Sequence, residues 1–244
     1  MVGAMEHTHL TAAWRGDPKR AVLFDLDGTL LNTAADIARA LNRTLGEFGW
    51  DSVPVADVSQ MIGRGSPILI ERAAAVQGRS VDAALQGTMV ERFFHHYGEL
   101  EESNESDAAA YPGVRATLER LHGAGLKTAV VTNKQHRFAT ALLRRLELAC
   151  FIDLVVGGDT CERRKPDPQP LLFACDALSV PASQALMVGD SINDVRAARG
   201  AGIPVVCVPY GYNEGQPVRT LLCDALIDTL ADLPALLWTP AGSA

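Results

Sequence analysis

The spacing of apolar residues changes character twice along the chain. Residues 21–24, Ala-Val-Leu-Phe, are continuously apolar and run into Asp25-Leu26-Asp27-Gly28. A short unbroken apolar run closed by a turn residue reads as a strand buried on both faces. The period then lengthens. Ile37, Leu41, Leu45 and Phe48 recur every three or four residues, which predicts an amphipathic helix from near Thr33 to about Gly49. A loop follows over 61–67. Ile68, Ile70, Ala74 and Val76 predict a second helix that stops at Gly78. Val81, Leu85, Met89, Phe93 and Tyr97, four apart, predict a third. No strand pattern lies between 32 and 100. The polar, acidic stretch 101–107 reads as a linker.

From Tyr111-Pro112-Gly113 onward the elements alternate. Strands are expected at 128–132, 154–156, 185–188, 204–208 and 225–227. Helices are expected over 114–123 and 138–146 and near 173 and 197. Strands separated by helices imply a parallel, doubly wound, Rossmann-like α/β sheet with helices on both faces. The expected division is a core of 21–31 and 109–244, a helical insert of 32–108, and an N-terminal extension of 1–20.

Composition narrows the function. With 22 basic and 29 acidic residues the net charge is −7. That argues against a nucleic-acid partner and against an anionic membrane surface. A small anionic substrate stays open, because a local site can invert the global sign. Five cysteines, an odd count with no C-x-x-C pair and mostly within apolar runs, read as reduced thiols of a cytoplasmic protein. No run approaches the roughly 18 apolar residues of a membrane span. Residues 1–20 lack the apolar segment of a signal peptide. Nothing in the sequence decides between a monomer and a homodimer.

The chemistry gathers at the strand ends. Asp25 and Asp27 follow the first strand, on the same side of an extended chain. Thr132 and Asn133 follow the next. Lys165 comes after the third, in Lys165-Pro166-Asp167-Pro168, and Gly189-Asp190-Ser191 with Asp194 after the fourth. Open α/β sheets place their ligand sites at these ends. Each residue also has a plain structural reading: Asp27 as a turn residue, Thr132 and Asn133 as helix caps, Lys165 as a surface lysine, Asp194 as a first-turn acid. Together, crowded carboxylates call for a hard divalent cation such as Mg²⁺. Lysine, hydroxyl and amide donors suit an anionic group, and a spare carboxylate suits phosphoryl transfer from a monoester.

In this order the motifs resemble the haloacid dehalogenase superfamily of phosphohydrolases. Asp25-Leu26-Asp27-Gly28-Thr29-Leu30 stands as the first motif, Thr132 as the second, Lys165 as the third, and Gly189-Asp190-Ser191 with Asp194 as the fourth. The helical insert resembles that family's α-helical cap. Tyr210-Gly211-Tyr212-Asn213-Glu214-Gly215, Ile62-Gly63-Arg64-Gly65 and Tyr111-Pro112-Gly113 are similar to the bacterial phosphoglycolate phosphatases. The resemblance implies Asp25 as nucleophile, forming an aspartyl-phosphate, and Asp27 as general acid and base. It implies Lys165 as charge partner, and Thr132 and Asn133 as phosphate-binding groups. Mg²⁺ would be held by Asp25, the Asp27 carbonyl and Asp190, with Asp194 holding a water or supporting the ligands. Arg64, between two glycines, would grip the carboxylate of 2-phosphoglycolate.

Other readings remain beside this one. The substrate would be another small phosphate ester, such as a sugar phosphate or N-acetylmuramic acid 6-phosphate, or the chain would be a mutase of the β-phosphoglucomutase type. A dehalogenase is disfavoured by Asp27, and a phosphonatase by the absence of lysine between 20 and 126. A non-catalytic binding protein would be free to lose motif residues, and none is missing. The adjacent His95 and His96 are expected to point apart on their helix, as surface or packing groups.

Overall fold

The computed structural model describes residues 18–103 and 105–238; most of the expected N-terminal extension lies outside the described residues. In chain order the strands and helices are β1 (Ala21–Phe24), β2 (Leu31–Asn32), α1 (Ala34–Glu47), α2 (Val55–Ser59), α3 (Ser66–Ala75), α4 (Ala83–Glu102) and β3 (Ala109–Ala110). Then come α5 (Val114–Gly123), β4 (Lys127–Val131), α6 (His136–Arg145), β5 (Leu154–Val156), α7 (Gln169–Ala177), β6 (Ala185–Gly189), α8 (Ile192–Ala201), β7 (Val205–Cys207), β8 (Ala225–Leu226) and α9 (Leu233–Trp238).

Six strands form one parallel sheet in the order β5-β4-β1-β6-β7-β8. β1 lies inside it, with Val22 level with Thr128 on one side and Leu186 on the other. All four β1 residues are fully buried. Ala21 and Leu23 pack with Leu171, Ala174, Val195 and Ala198 of α7 and α8. Val22 and Phe24 pack with Leu118, Leu121 and Leu142 of α5 and α6. Two apolar layers on one strand explain why its sequence runs without alternation. Each large side chain so buried contributes about 1.5–3 kcal/mol. The winding reverses between β1 and β6, and that crevice is where an open parallel sheet binds ligands.

The four helices α1–α4 have a core of their own, centred on Leu41, Leu45, Ile70, Met89 and Tyr97. They form the α-helical cap inserted after the first strand. None of the described helices is long and apolar enough to cross a membrane. Two features depart from the sequence expectation. The chain enters and leaves the cap through a two-stranded antiparallel ladder, Leu31 opposite Ala110 and Asn32 opposite Ala109, in strands too short for any periodicity. α4 also runs on to Glu102, into the stretch expected to be a linker. The return of the chain is fastened by the buried Asp36 of α1, which accepts from the Ser106 hydroxyl and from the backbone N–H of Asp107 and Ala108.

Candidate active site

The chain leaving β1 turns sharply. The N–H groups of Thr29, Leu30 and Leu31 all donate to the Leu26 carbonyl, and Gly28 turns with φ +91°. A Cβ on Gly28 would overlap the Asp190 carboxylate, and one on Gly211 would overlap both Asp190 and the Gly28 carbonyl. Backbone therefore closes on Asp190 from two sides. Its oxygens accept from the Thr29 hydroxyl (2.7 Å) and the Tyr212 N–H (2.5 Å).

Lys165, 4% exposed, lies between two carboxylates, 2.9 Å from Asp25 Oδ1 and 2.6 Å from Asp194 Oδ1. The Leu26 N–H donates to the same Asp25 oxygen (2.7 Å). Asp25 Oδ2 has no hydrogen-bond partner among the described residues, and Asp25 lines a cavity. Asp194 is fully buried and fully engaged: its Oδ2 accepts from the Ser191 N–H (3.0 Å) and hydroxyl (2.7 Å), closing the first turn of α8.

Oxygens of Asp25, Asp190 and Asp194 lie within 4.8 Å of one another. Burial pushes Asp25 up to about 7, with Lys165 pulling against it. Burial, with Asp194 and Asp25 nearby, holds Asp190 well above the usual carboxylate range. Burial works to lower Lys165, but Asp194 and Asp25 hold it above the ordinary lysine value. One ammonium group does not balance three buried carboxylates. An all-oxygen donor set with surplus negative charge fits a hard divalent cation.

Asp27 is held differently. Its Oδ1 accepts from the Thr33 hydroxyl (2.6 Å) and from Lys134 (3.1 Å). The Thr33 hydroxyl is turned to Asp27 and does not cap α1. The Tyr212 hydroxyl caps it instead, accepting from the Thr33 and Ala34 N–H groups at 2.8 and 2.9 Å. Sequence reasoning missed Lys134. Its only signal was its place directly after Thr132-Asn133 in a chain with four lysines.

The site opens on a cavity of about 60 Å³. Asp25, Asp27, Thr132, Asn133 and Lys134 meet it at one side, and Phe93, Phe94, Phe138 and Leu69 form an apolar wall. The sequence-predicted residues thus converge, with two qualifications. Asn133 spends both amide hydrogens on the carbonyls of Gly63 (2.8 Å) and Lys165 (2.9 Å), tying the cap loop to the core. Arg64 is exposed and does not line the cavity. The cap loop has a second tie: Arg72 of α3 meets Glu214 at 2.5 Å, and Asn193 donates to the other Glu214 oxygen (3.1 Å).

The cap histidines also depart from expectation. Both reach Glu99, at 3.3 Å for His95 and 3.1 Å for His96, and the other His96 nitrogen meets Glu47 (2.9 Å).

Comparison with known proteins agrees with this geometry. The family model for haloacid dehalogenase-like hydrolases matches residues 22–208. A phosphoglycolate phosphatase of Nitrosospira multiformis is 42% identical over 221 residues, covering 90% of this chain and 96% of that protein. A crystal structure described as a predicted phosphoglycolate phosphatase from Haemophilus somnus superposes with TM-score 0.83 at 31% identity, covering 89% of this chain and 97% of that one. CbbY from Rhodobacter sphaeroides in complex with phosphate superposes with TM-score 0.76 at 28% identity, over 90% and 99% of the two chains. The chain belongs to the haloacid dehalogenase-like hydrolases and stands among their phosphoglycolate phosphatase-like phosphomonoester hydrolases.

Proposed function

We propose that the chain hydrolyses 2-phosphoglycolate to glycolate and phosphate with Mg²⁺, through a phosphoryl group carried on Asp25. One observation carries this reading: two aspartates at the mouth of one cavity, each with its own lysine, Asp25 with Lys165 and Asp27 with Lys134. Asp25 Oδ2, free of hydrogen bonds among the described residues, attacks phosphorus while the ester P–O bond breaks. Asp27 gives its proton to the departing alkoxide oxygen. Asp27 then takes a proton from water, whose oxygen attacks the aspartyl-phosphate at phosphorus, releasing phosphate and restoring Asp25. Such acid–base help is worth about 10²–10⁴ in rate. The Thr132 hydroxyl donates to a phosphoryl oxygen, and Lys165 offsets charge on Asp25 and the phosphoryl group.

Asp25, Asp190 and the Asp27 carbonyl would hold the cation, which when bound supplies positive charge opposite the phosphoryl oxygens. Asp194, with both oxygens engaged, positions Lys165 and the turn after β6. The apolar wall, with no partners for the hydroxyls of a sugar phosphate or a muramic acid ester, supports a short ester. Five unpaired cysteines fit a reducing cytoplasm.

Phosphate release with Mg²⁺ from 2-phosphoglycolate, sugar phosphates, N-acetylmuramic acid 6-phosphate and p-nitrophenyl phosphate tests the reading. The expected kcat/KM for 2-phosphoglycolate is at least about a hundredfold above the rest, some 2.7 kcal/mol of discrimination. A flat profile refutes the substrate while leaving the phosphomonoesterase.

A further inference from the structure

With Arg64 outside the cavity, the end of the substrate that does not react needs another partner. The cavity wall supplies one. The Lys134 ammonium lies 3.1 Å from Asp27 Oδ1 and 4.4 Å from the centre of the Tyr97 ring, and its side chain is only 8% exposed. A lysine paired with a carboxylate is a cation at neutral pH. Tyr97 is 2% exposed and lines the same cavity; its buried hydroxyl makes no well-aligned hydrogen bond among the described residues, and the Lys134 ammonium is its near polar neighbour. Buried hydroxyls are rarely left so. A third element converges there: Gly65 and Ser66, where the ten-residue helix α3 begins, also line the cavity, and a helix N-terminus favours negative charge.

We propose that Lys134 and Tyr97, with the first turn of α3, form a subsite for a carboxylate at the non-reacting end of the substrate. This deepens, and rests on, the reading of the chain as a 2-phosphoglycolate hydrolase. Lys134 has three N–H donors, so it takes a carboxylate oxygen without releasing Asp27, and the Tyr97 hydroxyl donates to the same group. The geometry also limits chain length. Asp27 faces the ester oxygen, and Lys134 touches Asp27. The carboxylate must therefore sit within two or three bonds of that oxygen, as it does when both are on one carbon. Phe93, Phe94 and Phe138 beside it offer no partners to the hydroxyls of a sugar.

The test compares 2-phosphoglycolate with ethyl phosphate, which lacks the carboxylate, in wild type, Lys134→Met, Lys134→Arg and Tyr97→Phe. The wild type is expected to prefer 2-phosphoglycolate by at least about a hundredfold in kcat/KM. Lys134→Met is expected to bring that ratio to within about threefold of unity, chiefly through KM. Lys134→Arg restores part of it, and Tyr97→Phe lowers it by about three- to tenfold. If Lys134→Met depresses both esters equally and keeps the ratio, Lys134 serves Asp27 alone and the subsite is refuted while the substrate stands. A wild-type ratio near one refutes the substrate itself. Should Lys134→Met fail to fold, Lys134→Arg and Tyr97→Phe decide: a ratio unchanged in both overturns the subsite.

Discussion

Glu101, in the last turn of α4, offers a measurable consequence of burial. Its Oε1 is buried with no hydrogen-bond partner among the described residues, and a carboxylate near a helix C-terminus opposes the helix dipole. Burial raises it from 4.5 to about 7, against the pull of Lys134, Arg145 and Arg137. Between those values the folded protein holds a proton that the unfolded chain has lost, so stability falls as pH rises through that window. A shift of about 2.5 units is worth at most about 3.4 kcal/mol. Glu101 is only half buried, and solvent screening brings this to about 1–2 kcal/mol. Glu101→Gln removes the ionisation. The variant is expected to match wild type at pH 4.5 and to exceed it by about 1–2 kcal/mol at pH 8, or about 2–8 °C in Tm for a chain of this size. Urea unfolding followed by circular dichroism at both pH values measures it, and groups common to both proteins cancel. A difference independent of pH would show that burial does not govern Glu101. Destabilisation that grows towards pH 8 would show that the three nearby cations outweigh it.

Three more outcomes follow from the site. Asp25→Asn keeps the fold, by circular dichroism, but loses at least about 10⁴ in kcat; retention of more than a few per cent of activity removes Asp25 as nucleophile. Arg72→Met breaks the tie to Glu214 and shifts the cap towards open by about tenfold, the equivalent of 1.4 kcal/mol; steady-state kinetics should show KM raised with kcat held or raised, and an unchanged KM counts against a latch. Gly211→Ala drives a methyl into Asp190; overpacking costs about 1–3 kcal/mol, so Tm and Mg²⁺-dependent activity should fall together, and a variant with both intact contradicts the close approach described here.

The core was legible because its strands are buried on both faces, so each wrote an unbroken apolar run ending in a polar residue of the candidate site: Asp25 after β1, Thr132 after β4, Asp190 after β6. Legibility failed where side-chain direction decides. Arg64 sits on a glycine-flanked tip whose direction no sequence pattern fixes, and it is exposed. Lys134 carries no periodicity to separate it from a surface lysine. Tyr97 falls on the apolar step of α4, and a helical period registers its ring but not its hydroxyl. His95 and His96 bring their rings within 5.3 Å of each other, and Glu99 meets both, which sequence adjacency on a helix does not reveal. β2, β3 and the five-residue α2 are too short for any pattern to emerge.

The short ladder of β2 and β3 brings residues 32 and 109 side by side, so the whole cap departs and returns through one doorway. An insert whose ends already meet asks almost nothing of its host: lengthening it, recasting it or exchanging it leaves the path of the sheet untouched, since closing a loop costs little more as the loop grows. The two strands are antiparallel neighbours, so even a tight hairpin turn would satisfy the same join. The cap can therefore change in length without moving the strand ends that bear Asp25, Thr132 and Asp190.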